Sequence, residues 1–530
     1  MNVLSMHSAG HDTGVSYFQE GRLVFSIESE RLTRCKHDHR SEAALHHCLS
    51  HFADEGRGTD LIVTSTPVRN SILKIPDIDD AMGAIESGQL HYETTSHLFG
   101  KPVDCVVVLH EASHAALAAH YAGYRTGCLI LVNEGKGLIS RSSLYSLEDR
   151  RLQLIELDPL PWYATGFGWT AIGYLYGFGL GPQVAGRLMG ICGYGTASPD
   201  VRDVLLGIGD GVMRDRAMAE QVAAQLQTDD RFAGDFRTKA DVVATLQELF
   251  TQRVLDLVDT HVSRISSPVV ALGGGCALNL KTNSALRERL SSDVSIPPAC
   301  GDAGQSLGAG IYAHKFLLGE EVQPFSVFSN GEAERKDILP ALIRSRGLAP
   351  LAYDPHRVAQ ELTHGAIVAF FGGRSEIGPR ALGARSILAN PLIPGMRKRL
   401  SEKVKGREWF RPLGAAMRLE RFQELFPSQA PSPHMLFAYS VAPNVIPEAT
   451  HVDGSSRIQT VTASDCRPLY DLLVEFEKQS GASALINTSL NGPGRAIAYR
   501  VTDVLDDFLG ADVNLFVFED LMAYNHPAAH

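Results

Sequence analysis

The run Val103-Asp-Cys-Val-Val-Val108-Leu109 passes, with no glycine or proline between, into His110-Glu-Ala-Ser-His114 and on to Ala115-Ala-Leu-Ala-Ala-His-Tyr121. An unbroken β-branched run reads as a buried strand, and the alanine-rich continuation reads as a helix. A second such strand, Cys128-Leu-Ile-Leu-Val132, ends on Asn133-Glu134-Gly135. Buried strands joined through helices restrict the chain to layered α/β architecture. The same join sets two histidines four apart on one helical face, so that both imidazoles are able to meet one metal ion. The plain alternative is that two of the 20 histidines merely pack or cap. Carboxylates stand in matching places: Glu134 at the end of its strand, and Asp302 in the turn Gly301-Asp-Ala-Gly304 before a helical segment. Two imidazoles with one or two carboxylates, leaving positions open, suit a divalent first-row metal such as iron(II) better than a closed structural zinc site.

At 530 residues and 44% hydrophobic, the chain is too long for one ordinary domain, and two or three are expected. The N-terminus has no charged segment followed by an apolar core, and no apolar run approaches the roughly 20 residues of a membrane span. A cytoplasmic location without membrane contact is expected. The eight cysteines include no C-x-x-C pair, which fits reduced, buried thiols. A net charge of -11 excludes a broad nucleic-acid-binding face.

Near the start, Thr13 to Phe18 and Arg22 to Glu28 flank Glu20-Gly21 and read as a β-hairpin behind the polar loop His7-Ser-Ala-Gly10-His11-Asp12. His11 is placed to act as a base near neutral pH, or is simply a turn histidine bonded to Asp12. The charged run Glu28 to His37 reads as a loop and helix start with a solvated face. Gly173 to Gly195 reads as a glycine-rich loop in which Arg187 would pair a phosphate. Residues 198–265, helical over Met213 to Gln227 and Val242 to Val262, read as an inserted layer. Ser267 to Leu272 followed by Gly273-Gly274-Gly275-Cys-Ala-Leu-Asn279 is a strand, glycine turn and helix start, whose bare amides favour an anionic or nucleotide ligand.

Past a boundary near Gly319 to Pro324 the chemistry changes. Between Arg374 and Arg411 ten Lys/Arg face three acids, a local excess of seven positive charges in an acidic chain. Arg380, Arg385, Lys405, Arg407 and Arg411 belong to this block. Guanidinium groups bind phosphate bidentately, and interrupting prolines and apolar residues suit a pocket for a phosphorylated small molecule better than a nucleic-acid surface. Asn487-Thr488-Ser489 closes a short strand with small hydrogen-bonding side chains.

These motifs, in this order and along nearly the whole length, resemble the carbamoyltransferases of the NodU/CmcH family. The matching stretches are His11-Asp12, Glu28 to His37, His110-x-x-x-His114, Arg187 to Gly190, Gly273 to Asn279, Asp302, Glu376 to Gly383, Lys405 to Pro412 and Asn487 to Asn491. The resemblance implies an actin/sugar-kinase-like domain over 1–335, a duplicated RNase H-like fold similar to the threonylcarbamoyl transferase of tRNA modification. A YrdC-like α/β domain over 350–530 would follow. It also implies a relay. Carbamoyl phosphate and ATP would give carbamoyl-adenylate and pyrophosphate in the C-terminal domain, on Arg380, Arg385, Lys405, Arg407, Arg411, Asn487 and Ser489. The N-terminal domain would hold the adenylate on Arg187, Gly274, Gly275 and Asn279, and a metal on His110, His114, Asp302 and Glu134. There His11 would deprotonate a small-molecule hydroxyl acceptor. Glu134 stands where the family commonly has aspartate, Leu138 where it has glutamate, and Arg495 where glutamate is frequent. The competing functions are an ATP-dependent phosphotransferase of the actin/sugar-kinase type and a non-catalytic partner in RNA modification. Homodimerisation is left open.

Overall fold

A computed structural model describes residues 1–8, 10–54, 58–65, 73–74, 78–98, 101–209, 216–263, 269–290 and 293–525. The chain forms two compact units. The first comprises Met1–Ser29 and His37–Pro324, and the second comprises Glu30–Lys36 and Phe325–His530. Among the described residues, no helix is long and apolar enough to cross a membrane.

The first unit carries β1 (Asn2–His7), β2 (Gly14–Gln19), β3 (Arg22–Glu28), β4 (Leu61–Thr64), β5 (Leu73–Lys74), β6 (His91–Leu98) and β7 (Lys101–Val108) in one sheet. Its order is β3-β2-β1-β4-β7-β6-β5, with β1, β4 and β7 parallel and β2 antiparallel to both its neighbours. A second sheet holds β8 (Cys128–Asn133), β9 (Ser142–Glu148), β10 (Arg151–Leu157), β11 (Val270–Gly273) and β12 (Val294–Ser295). It runs β10-β9-β8-β11-β12, with β8, β11 and β12 parallel and β9 antiparallel. Order and direction repeat the first sheet's β3-β2-β1-β4-β7, so the unit is internally duplicated. In such sheets the carboxyl ends of the parallel strands collect the loops that bind ligands. His7 ends β1, His110 follows β7 and Glu134 follows β8, while Gly274 and Gly275 follow β11.

The helix His110–Tyr121 is buried from His110 through Ala119. Its small residues let a second helix, Gln305–Tyr312, pack closely: a β-carbon at Gly308 would stand 2.1 Å from the Ser113 carbonyl oxygen. Gly173 to Gly195 is not one loop but two helices, Gly166–Leu175 and Gln183–Cys192, joined by a turn with Gly177 and Gly179 at positive φ. Packing of Val184 and Leu188, both buried, overrides the glycine content. The 198–265 region contains helices Pro199–Gly207, Arg216–Gln227 and Phe236–Val262. The expected helix start at Met213 and strand start at Ser267-Pro268 lie outside the described residues.

The second unit is built on β13 (Leu351–Ala352), β14 (Val368–Phe371), β15 (Arg385–Ala389), β16 (Gly414–Arg418), β17 (Ala438–Ser440), β18 (Ser455–Val461), β19 (Ala484–Ser489), β20 (Leu515–Phe518) and β21 (Leu521–Tyr524). They form one mixed sheet in the order β13-β21-β20-β14-β15-β19-β16-β18-β17. Helices Pro355–Thr363 and Arg467–Ser480 cover it with Val358, Leu362, Leu472 and Phe476, packed on Phe370, Leu388, Leu485 and Leu515. Asp354 caps the first helix at the His356 amide, and Gly481 ends the second at φ 69°.

The run Glu28 to His37 departs from the solvated reading. Glu30–Lys36 is part of the second unit. Arg31 is fully buried and donates to the Gly378 carbonyl at 2.7 Å. Arg34 donates to the Ala496 carbonyl at 2.6 Å and pairs with the buried Asp507. A charged run is drawn inward when each charge meets a carbonyl or a counter-ion.

Candidate active site

In the first unit His110, His114, Glu134 and Asp302 each bring one donor atom within 4.8 Å of the others. His114 Nε2 lies 2.7 Å from Glu134 Oε1 and 3.3 Å from Asp302 Oδ1. His110 Nε2 lies 3.2 Å from Glu134 Oε2 and 3.5 Å from Asp302 Oδ1. These separations match those between neighbouring ligands of one first-row ion held at about 2 Å. His114 is 1% exposed, and neither of its ring nitrogens makes a hydrogen bond of good geometry among the described residues; the same is true of Glu134 Oε2. Buried polar atoms left this way signal a missing partner. Two nitrogens and two carboxylates therefore fit a divalent first-row metal.

The electrostatics agree. Burial works against charge on His110 and His114, yet the Glu134 and Asp302 carboxylates raise both imidazoles above their ordinary value. Against the same burial, the two histidines hold Glu134 down at about 2 and Asp302 well below the usual carboxylate range. Two imidazolium ions balance two carboxylates. A dication with neutral imidazoles leaves the same net charge, so the pocket that favours the protons favours the ion.

His-Glu-x-x-His is also the order found in zinc peptidases, where the glutamate is the base. Here Glu111 is turned away: its Oε1 accepts from the Ile139 and Ser140 amides, both at 3.0 Å, and shapes the loop after Glu134.

Beside the centre, His11 Nδ1 is 2.9 Å from Asp12 Oδ2 and 3.4 Å from Asp302 Oδ2. Burial opposes its protonation, but Asp12 and Asp302 raise it to about 9. His7 was not singled out in the sequence; its Nε2 is 3.9 Å from Asp302 Oδ2, its Nδ1 is 2.9 Å from Ser65 Oγ, and burial lowers it to about 4. Its only signal was its place where a strand meets a polar loop. Arg187 lies on the helix Gln183–Cys192, with its guanidinium 5.7 Å from the Phe178 ring centroid. Asn279 caps the helix Leu280–Leu290 through the Thr282 amide and donates to Gln247. A cavity of about 360 Å³ lies beside these helices, lined by Cys192, Gln247, Glu248 and Lys281 among others.

In the second unit, Lys405 is buried and its Nζ donates to the Ser489 carbonyl at 2.6 Å, the Asn491 carbonyl at 2.8 Å and Asn491 Oδ1 at 2.7 Å. Burial, then the Arg407 and Lys36 charges, push it well below the usual lysine range. Burial and Arg411 lower Arg407 to about 9. Arg457 on β18 was missed, although a lone arginine in a strand-like run was the signal. Burial lowers it, as do Arg380, Arg407 and Arg411. Arg407 Nε and Nη2 and Arg457 Nε have no hydrogen-bond acceptor among the described residues. Half-buried guanidinium groups that outnumber the one acid beside them, Glu408 at 3.9 Å from Arg411, form an anion pocket.

Two expected phosphate ligands are engaged otherwise. Arg385 is fully buried, donates to the carbonyls of Gly372, Gly373, Ala384 and Tyr499, and stacks 3.6 Å from the Phe371 ring centroid. Its Nη1 and Nη2 hold the loop through main-chain acceptors, while its Nε makes no hydrogen bond among the described residues. Asn487 donates to the Ala381 carbonyl and to Gln459 Oε1. Ser489 Oγ donates to Asn491 Oδ1 at 2.6 Å, beside Lys405.

Two family descriptions match the chain: Carbamoyltransferase N-terminus over residues 89–311 and Carbamoyltransferase C-terminus over residues 359–525. The 3'-hydroxymethylcephem-O-carbamoyltransferase of Streptomyces clavuligerus is 29% identical, over 94% of each chain. Nodulation protein U of Bradyrhizobium diazoefficiens is 32% identical, over 59% of this chain and 58% of its own. Among solved structures, T. kodakarensis HypF has a TM-score of 0.34 and 13% identity, over 60% of this chain and 48% of its own.

Proposed function

The chain belongs to the carbamoyltransferase family, and we propose that it is an ATP-dependent enzyme that carbamoylates a hydroxyl of a small natural product in two steps. In the first, carbamoyl phosphate loses inorganic phosphate to water, and the resulting carbamate attacks the α-phosphate of ATP, giving carbamoyl-adenylate and pyrophosphate. In the second, the acceptor oxygen attacks the carbamoyl carbon, AMP leaves and the hydroxyl proton is taken up by a base. We read the second unit as YrdC-like and the first as actin/sugar-kinase-like.

The observation that carries the first step is the buried set of Arg407 and Arg457 donors, with no acceptor among the described residues. Phosphoryl oxygens would complete them, with Arg380, Arg411 and Lys405 adding charge where negative charge develops. Lys405 would fix the Ser489 and Asn491 loop at the same place. In the first unit the adenylate would take the cavity near Cys192 and Lys281, with Arg187, Gly274, Gly275 and Asn279 around its helix-start amides. His110, His114, Glu134 and Asp302 would hold a divalent metal, iron(II) by the donor set, whose chemistry is Lewis-acid polarisation. His11 would take the proton of the hydroxyl.

Carbamoyl-phosphate-dependent exchange of labelled pyrophosphate into ATP tests this. Lys405→Ala is expected to abolish exchange, whereas His114→Ala is expected to keep exchange and block transfer. Equal loss in both variants would defeat the division into two sites. ADP in place of AMP would point to a phosphotransferase.

A further inference from the structure

An imidazole acting as a base must present an unprotonated nitrogen and hold it still. His11 has a side chain 44% exposed, next to a polar loop, so its own packing does neither. The surrounding side chains supply what packing does not. His11 Nδ1 meets Asp12 Oδ2 at 2.9 Å. The other side of that carboxylate is taken by His37, whose Nδ1 stands 2.8 Å from Asp12 Oδ1 and 3.1 Å from Oδ2. The two imidazoles are 6.0 Å apart between centroids and stand at 78°, so they meet the carboxylate and not each other's faces.

The line is anchored through the main chain. Next to Asp12, the amide and hydroxyl of Thr13 both donate to the Asp38 carbonyl, at 3.0 and 3.1 Å. Next to His37, the Asp38 carboxylate is clamped by the Arg40 side chain and amide. Loops distant in sequence are thus pinned where Asp12 lies between the two histidines. Asp12 and His37 both adopt positive φ, of 55°, which turns their side chains into this arrangement.

We infer that Asp12 and His37 are positioning residues for His11: Asp12 accepts the Nδ1 proton and His37 fixes Asp12, so that Nε2 is the nitrogen offered to the acceptor hydroxyl. A carboxylate bonded to Nδ1–H selects this tautomer and steadies the imidazolium once it forms. Held by His11 alone, a carboxylate on the adjacent residue would rotate. His37 occupies its second oxygen and stops that rotation. The inference rests on the reading of His11 as the base.

The metal-loaded full chain is the test, with methanol as probe acceptor and AMP release from ATP and carbamoyl phosphate as the readout, beside histidine nitrogen spectra. His11→Asn is expected to abolish transfer. Asp12→Asn is expected to lower kcat on the order of 10²-fold and His37→Gln about 10-fold. Methanol KM, pyrophosphate exchange and metal content are expected to stay unchanged. Recorded above pH 9, where His11 gives up its second proton, the wild-type signal is expected to show Nε2 unprotonated, and both positioning variants a mixture of tautomers. Full transfer by His11→Asn would remove the base reading itself. Loss of transfer in His11→Asn, with unchanged kcat and tautomer in Asp12→Asn and His37→Gln, would overturn the positioning inference alone. Loss of metal or exchange in His37→Gln would also overturn it, in favour of a structural role.

Discussion

Gly274 approaches Glu134 so closely that a β-carbon on it would stand 2.7 Å from Glu134 Cγ, and 2.4 Å from the Asn133 carbonyl oxygen. Its φ of 81° is one that L side chains rarely adopt. A strand end of the second sheet thereby sets the position of a carboxylate in the candidate metal centre. Gly274→Ala is expected to displace Glu134 and to cost about 1–3 kcal/mol of stability. Metal content of the purified variant, with its urea midpoint, checks this; full occupancy at wild-type stability would refute it.

Metal uptake is expected to release protons. His110 and His114 lie above their ordinary value in the ion-free centre because of Glu134 and Asp302, so they keep their protons to higher pH than an ordinary imidazole, and a ligating imidazole must be neutral. Up to two protons should leave per ion bound, and affinity should rise with pH over that range. Titration with ferrous or cobaltous salt in weakly buffered solution measures the count. No release near pH 7 would mean that the imidazoles are already neutral.

Arg457→Met is expected to separate stability from activity. Arg457 is half-buried beside Arg380, Arg407 and Arg411, and replacing it relieves both desolvation and like-charge repulsion. The variant should melt higher by a few degrees, while its KM for carbamoyl phosphate or ATP rises 10-fold or more. Inorganic phosphate should raise the wild-type Tm and leave that of the variant unchanged. A lower Tm would mean that the guanidinium has a partner that holds the fold.

Acid should destabilise the first unit through His120. Burial, and then Lys315, lower this imidazole to about 4, while in the unfolded chain it titrates near 6.5. Between these values the unfolded state binds more protons, so stability falls as pH falls from 6.5 towards 4. The slope is at most about 1.4 kcal/mol per pH unit. His120→Gln should flatten the dependence of the urea midpoint on pH. An unchanged slope would assign the acid sensitivity elsewhere.

What the sequence disclosed follows from what is local. The strand before His110 and the helix after it are set by neighbouring residues, and helical spacing alone puts His110 and His114 on one face. Glu134 and Asp302 were legible because each ends or interrupts a strongly patterned segment. The main-chain partners of Arg385 were not legible, since charge density says where cations lie in the chain, not whether a carbonyl is waiting for each. Gly173 to Gly195 was misread for a related reason: burial of Val184 and Leu188 outweighed the local preference of glycine. His37 and Arg457 needed tertiary neighbours, Asp12 for one and three other arginines for the other, which no spacing announces.

Seven residues near the beginning of the polypeptide, Glu30–Lys36, belong to the second unit, where Arg34 pairs with Asp507 and joins Ala496 by reciprocal main-chain and side-chain bonds. The second unit is therefore built from two separate stretches of chain. A fragment starting at Phe325 would lack its own staple and bare a buried aspartate, and a chimera spliced at that point would graft a mismatched strap into a foreign body. Exchange of parts between relatives has to carry two pieces together.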